Sequence, residues 1–266
     1  MRHACVAILS ALSLSSCTST QTAAPPAVVS DLAPTGKLRA AINLGNPVLA
    51  SRDADGQPQG VSVDLARALA QRLGVPMELI AFDAAGKVVE AGKTGAWDIA
   101  FVALDPLRAQ DIAQSTPYVA IEGAYLVRND SPIRSNAEVD RSGNRIVVGR
   151  GSAYDLFLTR TIKQAQIVRT STSGGAVDFF MKENYEVAAG VKQQLEADAK
   201  RTPGVRLLPG RFMVINQAMA SQRGREAGAR YVREFVEEMK ASGFVARALE
   251  RHRIEGAAVA PPGDVQ

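Results

Sequence analysis

The sequence predicts an α/β protein of two lobes, each a mainly parallel sheet flanked by helices. Three observations carry this reading. Short apolar runs alternate with helical stretches, the pattern of strands covered by helices on a parallel sheet. The alternation begins afresh near residue 120, which marks a second set. Two helices, Arg223–Ser242 and Phe244–His252, then close the chain, so it crosses between the lobes twice.

Taken in order, Lys37–Leu44 reads as a strand and Asp53-Ala-Asp-Gly56 as a turn. In Val61–Leu73, Leu65, Leu69 and Leu73 recur four apart on one face and Gly74 stops the run, which defines an amphipathic helix. A strand at Pro76–Phe82, a weaker helix at Ala85–Lys93 and a buried strand at Asp98–Leu104 complete the first set. The second set has strands at Ala120–Arg128, Asn144–Gly149, Gln166–Thr170, Tyr185–Gly190 and Met213–Ala220. Its helices are read at Tyr154–Lys163, Gly175–Lys182 and Gln193–Lys200.

The ends read differently. Arg2 and His3 precede an apolar run, Ala4–Leu14, too short to span a bilayer, so residues 1–16 are expected to be a signal peptide. Leu14-Ser-Ser-Cys17 resembles the lipobox of bacterial lipoproteins, which implies a lipid anchor on Cys17. Residues 17–34, rich in Thr, Ser, Gln, Ala and Pro, are expected to form a flexible tether, and 254–266 a disordered tail.

Of 266 residues, only two are cysteine and two histidine; Cys5 and His3 fall in the signal, leaving Cys17 and His252. A thiol nucleophile or a Cys/His zinc site is therefore not expected, and no cofactor is implied. The net charge of +4 is scattered, with basic and acidic residues alternating on the late helices, so no nucleic-acid partner is expected.

Arg108 stands just past the Asp98–Leu104 strand, on a turn opened by Pro106 and capped by Asp105. There its planar fork of donors can meet a carboxylate at the carboxyl end of the sheet, where open α/β folds bind ligands.

Five segments, in order and at matching spacing, carry a family resemblance: Gly36-Lys-Leu-Arg39, Gly60–Val75, Gly95-Ala-Trp-Asp98, Pro106-Leu-Arg108 and Ser115-Thr-Pro-Tyr118. Over residues 35–253 the chain resembles the family 3 solute-binding proteins of amino-acid-type ABC transporters. The resemblance implies a type II periplasmic binding protein-like fold with lobe 1 at 35–126 plus 218–253 and lobe 2 at 127–217. It implies hinge crossings at Gly123–Arg128 and Ile215–Ala220, a monomer that captures a small solute between its lobes, and an inner-membrane permease as partner. Arg108 then becomes the carboxylate clamp, aided by N–H groups of Gly151-Ser152-Ala153.

The departures bear on the ligand. An ammonium clamp would use a threonine where this chain has Ala103, and an aspartate where it has Gly190 or Val191 beside Lys192. The stacking aromatic is absent from Asn43–Val48. A buried ammonium without a carboxylate is costly, so an anionic solute is expected, with Arg150 or Lys192 as a second cation. Two alternatives remain beside this non-enzymatic reading. One is an envelope accessory or sensing protein; the other is a cyclohexadienyl dehydratase-like enzyme using Glu122 or Asp105 as general acid.

Overall fold

The computed structural model describes residues 23–264. After helix α1 (Pro26–Leu32), strand β1 (Leu38–Asn43) pairs in parallel with β4 (Met77–Phe82) and β5 (Ile99–Ala103). Between them lie a small hairpin, β2 (Ser51–Arg52) with β3 (Pro58–Gln59), and helices α2 (Val61–Leu73) and α3 (Ala85–Lys93). Side-chain alternation along the strands sorts the two faces. Ile99, Phe101 and Ala103 join the cluster under α2, whereas Ala100 and Val102 pack with Trp97 and Val88 under α3.

The second set contains β7 (Arg145–Gly149), α4 (Ala153–Thr161), β8 (Gln166–Thr170), α5 (Ala176–Lys182), β9 (Val187–Val191), α6 (Lys192–Arg201) and β10 (Val205–Leu207). Val147, Ala188 and Phe180 form its core beneath α5 and α6; Ile146, Val148 and Tyr154 pack on the opposite face. Two long antiparallel strands join the lobes: β6 (Ile112–Arg128) and β11 (Met213–Gln222). The sheet order is β4-β1-β5-β11-β6-β9-β7-β8, with β10 also paired to β6. Helices α7 (Glu226–Ala241) and α8 (Phe244–Arg251) return to lobe 1, where α7 buries Val232, Phe235, Val236 and Met239 on one helical face. Asp98, wholly buried, ties three elements together: it accepts from Arg39 on β1 at 2.8 and 2.9 Å and from Arg225 before α7 at 3.0 Å.

Four expectations change. The tether expected through residue 34 ends before α1, because Val28 and Leu32, four apart, make an apolar stripe that docks on α7, and Asp31 accepts the Gly228 N–H at 2.9 Å. The strand expected from Ala120 begins at Ile112 and runs through Pro117, which sits where the register with β11 shifts; a bulge tolerates a residue without an N–H. The lobes cross a few residues earlier on β6 than Gly123–Arg128, since Gly123–Leu126 already pairs with β9 of lobe 2. On β11, Gln217–Ser221 already pairs with β5 of lobe 1. The tail expected to be disordered is held: β12 (Ala258–Val259) pairs with β6, and Lys240 Nζ donates to the Pro261 carbonyl at 2.8 Å.

The signal at 1–16 and Cys17 lie outside the described residues. Among the described residues no helix is long and apolar enough to cross a membrane, and no group of three or more His, Cys, Asp or Glu is placed to hold a metal ion.

Candidate functional site between the lobes

Strand β5 delivers the first half of the site. Beyond its end, the Asp105 carboxylate accepts the Leu107 N–H at 2.9 Å and caps a short turn. That turn points Arg108 inward, leaving it only 3% exposed. Its Nη1 donates to the Ala103 carbonyl and its Nη2 to the Gly151 carbonyl, each at 2.8 Å, while Nε has no partner. The first carbonyl belongs to lobe 1 and the second to lobe 2, so this side chain bridges the lobes. Desolvation pulls the guanidinium down to about 10, against the opposing charge of Asp105. Asp105 is itself paired with Arg160 of α4 at 2.8 Å, a second bridge.

Lobe 2 brings the start of α4. Ser152 is the N-cap and accepts the Asp155 N–H at 3.1 Å. The carboxylate of Asp155 accepts the Gly151 N–H at 2.8 Å and pairs with Arg169 at 2.9 Å. A helix N-terminus attracts anions, and here the chain supplies its own. Gly151 has φ +68°, and a β-carbon on it would stand 2.8 Å from Cα of Gly86 in α3. Backbone therefore meets backbone across the cleft. The lobes are closed on one another at this point.

Lys192 opens α6 and pairs with Glu122 of β6 at 2.9 Å; Arg211 pairs with the same carboxylate at 2.8 Å. Hydrogen bonds from Lys192 and Arg211 hold the Glu122 carboxyl below its ordinary range, and the same bond raises Lys192. A cavity of about 680 Å³ opens here, lined by Pro47, Val48, Glu122, Gly174, Lys192 and Gln193, among others.

The predicted site residues thus separate. Arg108, Ala103, Asp105, Gly151, Ser152 and Ala153 gather at the closed seam, Ala103 through its carbonyl and Ala153 as the first residue of α4. Lys192 lines the cavity, and Arg150 is exposed. Gly86, Asp155, Arg160 and Arg211 were not read from the sequence. Only Asp155 left a signal, since Ser152-Ala-Tyr-Asp155 has the spacing of a helix cap with an acid three residues on.

Residues 38–254, most of both lobes, match the family of bacterial extracellular solute-binding proteins, family 3. The chain belongs to that family. Its fold is the type II periplasmic binding protein-like one. A structure of the solute receptor for L-cysteine of Neisseria gonorrhoeae superposes with a TM-score of 0.73 at 23% identity, covering 84% of this chain and 92% of that one. A mutant of ArgBP from T. maritima gives 0.72 at 19%, covering 84% and 98%. An ancestral amino acid-binding protein, a precursor of cyclohexadienyl dehydratase, gives 0.71 at 21%, covering 84% and 98%. No curated protein sequence matches the chain. At these identities the solved structures speak to the fold, whereas family 3 membership carries solute binding with it.

Proposed function

We propose that this family 3 protein is a periplasmic receptor, lipid-anchored through Cys17, that holds a small anionic solute between its lobes for an ABC permease. The solute is an organic acid or an amino-acid-like molecule. One observation carries the reading: Arg108 is a buried cation whose fork of donors meets only backbone carbonyls. When the lobes part, the Gly151 carbonyl leaves with lobe 2 and Nη2 is freed. A carboxylate entering there gains a charge-assisted, bidentate partner that a carbonyl cannot match. Closure over that anion then shifts the population toward the liganded form, the one a permease would read. The site offers no acid for an ammonium group, since Asp105 and Asp155 are engaged by Arg160 and Arg169.

Glu122 does not suit a general acid, because Lys192 and Arg211 hold it ionised. The direct contacts between the lobes favour one rival, an accessory or sensing protein that works closed and unliganded. Calorimetric titration with a panel of monocarboxylates, dicarboxylates and standard amino acids separates the two. Carboxylates are expected to bind and to raise the melting temperature by mass action. Tight binding of a standard α-amino acid would overturn the anionic reading, and no binding by any of the panel would favour the accessory role. The anchor has its own test: Cys17→Ser is expected to move the protein from the membrane fraction to the soluble one.

A further inference from the structure

Strand β6 carries the hinge, and its two edges are treated differently. One edge pairs with β11 from Ile112 to Gly123. On the opposite edge β9 of lobe 2 takes Gly123–Leu126, and β12 of the C-terminal segment takes Val119 and Ala120. Ala260 extends that pairing by donating its N–H to the Tyr118 carbonyl at 3.1 Å. Only Ile121 and Glu122 separate the two partners, so bending is confined to that gap. The segment that leads into β12 spans it: the Glu255 carbonyl accepts from Nε2 of Gln193, on α6 of lobe 2, at 3.1 Å. Gly256 turns the strap at φ +68°, and a β-carbon there would come 3.1 Å from the same Nε2. Lys240 anchors the lobe 1 end by donating to both the Pro117 and Pro261 carbonyls, at 3.0 and 2.8 Å. Residues 253–256 also wall the cavity beside Glu122 and Lys192.

We propose that residues 255–260 act as a third hinge strand, a strap that ties lobe 2 to lobe 1 across the bending point and limits how far the lobes open. Rotation of lobe 2 away from lobe 1 carries Gln193 away from Glu255, so the bond between them resists opening directly. Because the strap forms a wall of the cavity, material lodged there would press on the same restraint. The contacts across the seam, at Arg108, at Arg160 and between Gly86 and Gly151, act separately.

The test measures lobe separation in the full chain and needs no ligand, so its outcome is independent of the solute reading. Spin labels are placed through Arg67→Cys in lobe 1 and Lys182→Cys in lobe 2, both exposed, in a chain carrying Cys5→Ser and Cys17→Ser. Distances are compared among the parent, Gln193→Ala and Ala260→Pro, the last removing the N–H given to Tyr118. Each variant is expected to raise the ratio of open to closed conformers about two- to tenfold, the leverage of one hydrogen bond on an equilibrium. Distance distributions superimposable on the parent's in Gln193→Ala would overturn the proposal. That variant shortens one side chain and leaves the backbone pairing intact, so it decides the matter even where Ala260→Pro fails to fold.

Discussion

Arg108 shows how far a single side chain could be read in advance. Its place after a buried strand was legible, because Pro106 and the cap at Asp105 are local signals. That Gly151 stands across the site came only through the family resemblance, as an N–H donor to the ligand. The direct bond from Arg108 to its carbonyl was not legible, since closure of another lobe makes it. Lysine at this position keeps the charge but cannot give two carbonyls on opposite lobes the planar fork they share. Arg108→Lys is expected to cost about 1.5–3 kcal/mol, the worth of a hydrogen bond to a charged group, and to abolish stabilisation by carboxylates. Thermal melts followed through Trp97, the chain's one tryptophan and buried in lobe 1, measure both effects. Glu122 gives a pH dependence of definite sign. Its folded value lies below the usual 4.5, so its pairs stabilise the fold above that pH and are lost as pH falls through the folded value. The gap in melting temperature between the parent and Glu122→Gln should therefore be largest near neutrality and should shrink only as the pH falls below the usual 4.5. An undiminished gap in acid would contradict the assignment.

At the scale of elements, the periodic helices and the apolar strands came through because their signals are local and repeated. The Leu65–Leu69–Leu73 stripe and the buried Ile99–Ala103 run are examples. What escaped were segments whose structure comes from a distant partner. Helix α1 has seven residues and no polar cap, so composition drowned its stripe; α7, far along the chain, gives it a surface to bury against. Strand β12 is two residues long and exists because β6 has a free edge beside the hinge. Leu32→Ala tests whether α1 is part of the folded body. A fully buried leucine lost from a packed interface costs about 2–5 kcal/mol, whereas a tether residue would cost nothing. Denaturant unfolding of the two chains settles it, with a lower midpoint and unchanged slope expected for the variant.

For the whole molecule, two lobes and a double crossing were foreseeable from the restart of the strand–helix pattern, while the closed state was not. Closure is decided by pairs far apart in sequence, such as Asp105 with Arg160 and Gly86 with Gly151, and no local pattern announces them. Arg160→Ala removes one such pair and leaves Asp105 buried without its cation, a state that favours opening so that water can reach the carboxylate. Small-angle scattering should then report a larger radius of gyration for the variant, by contrast with an exposed-charge control such as Lys182→Ala, which should leave it unchanged.

The position of β11 in the sheet has a consequence for how the chain is made. It lies between β5 and β6, which are neighbours in sequence but not in space. As the polypeptide emerges from its amino end, lobe 1 presents two raw strand edges until residues 213–222 arrive to fill the slot. Lobe 2 can be completed first; lobe 1 cannot. During that interval the unfilled slot is a template for the wrong strand, from this chain or another. Whatever escorts the nascent protein has most to do before residue 222 appears.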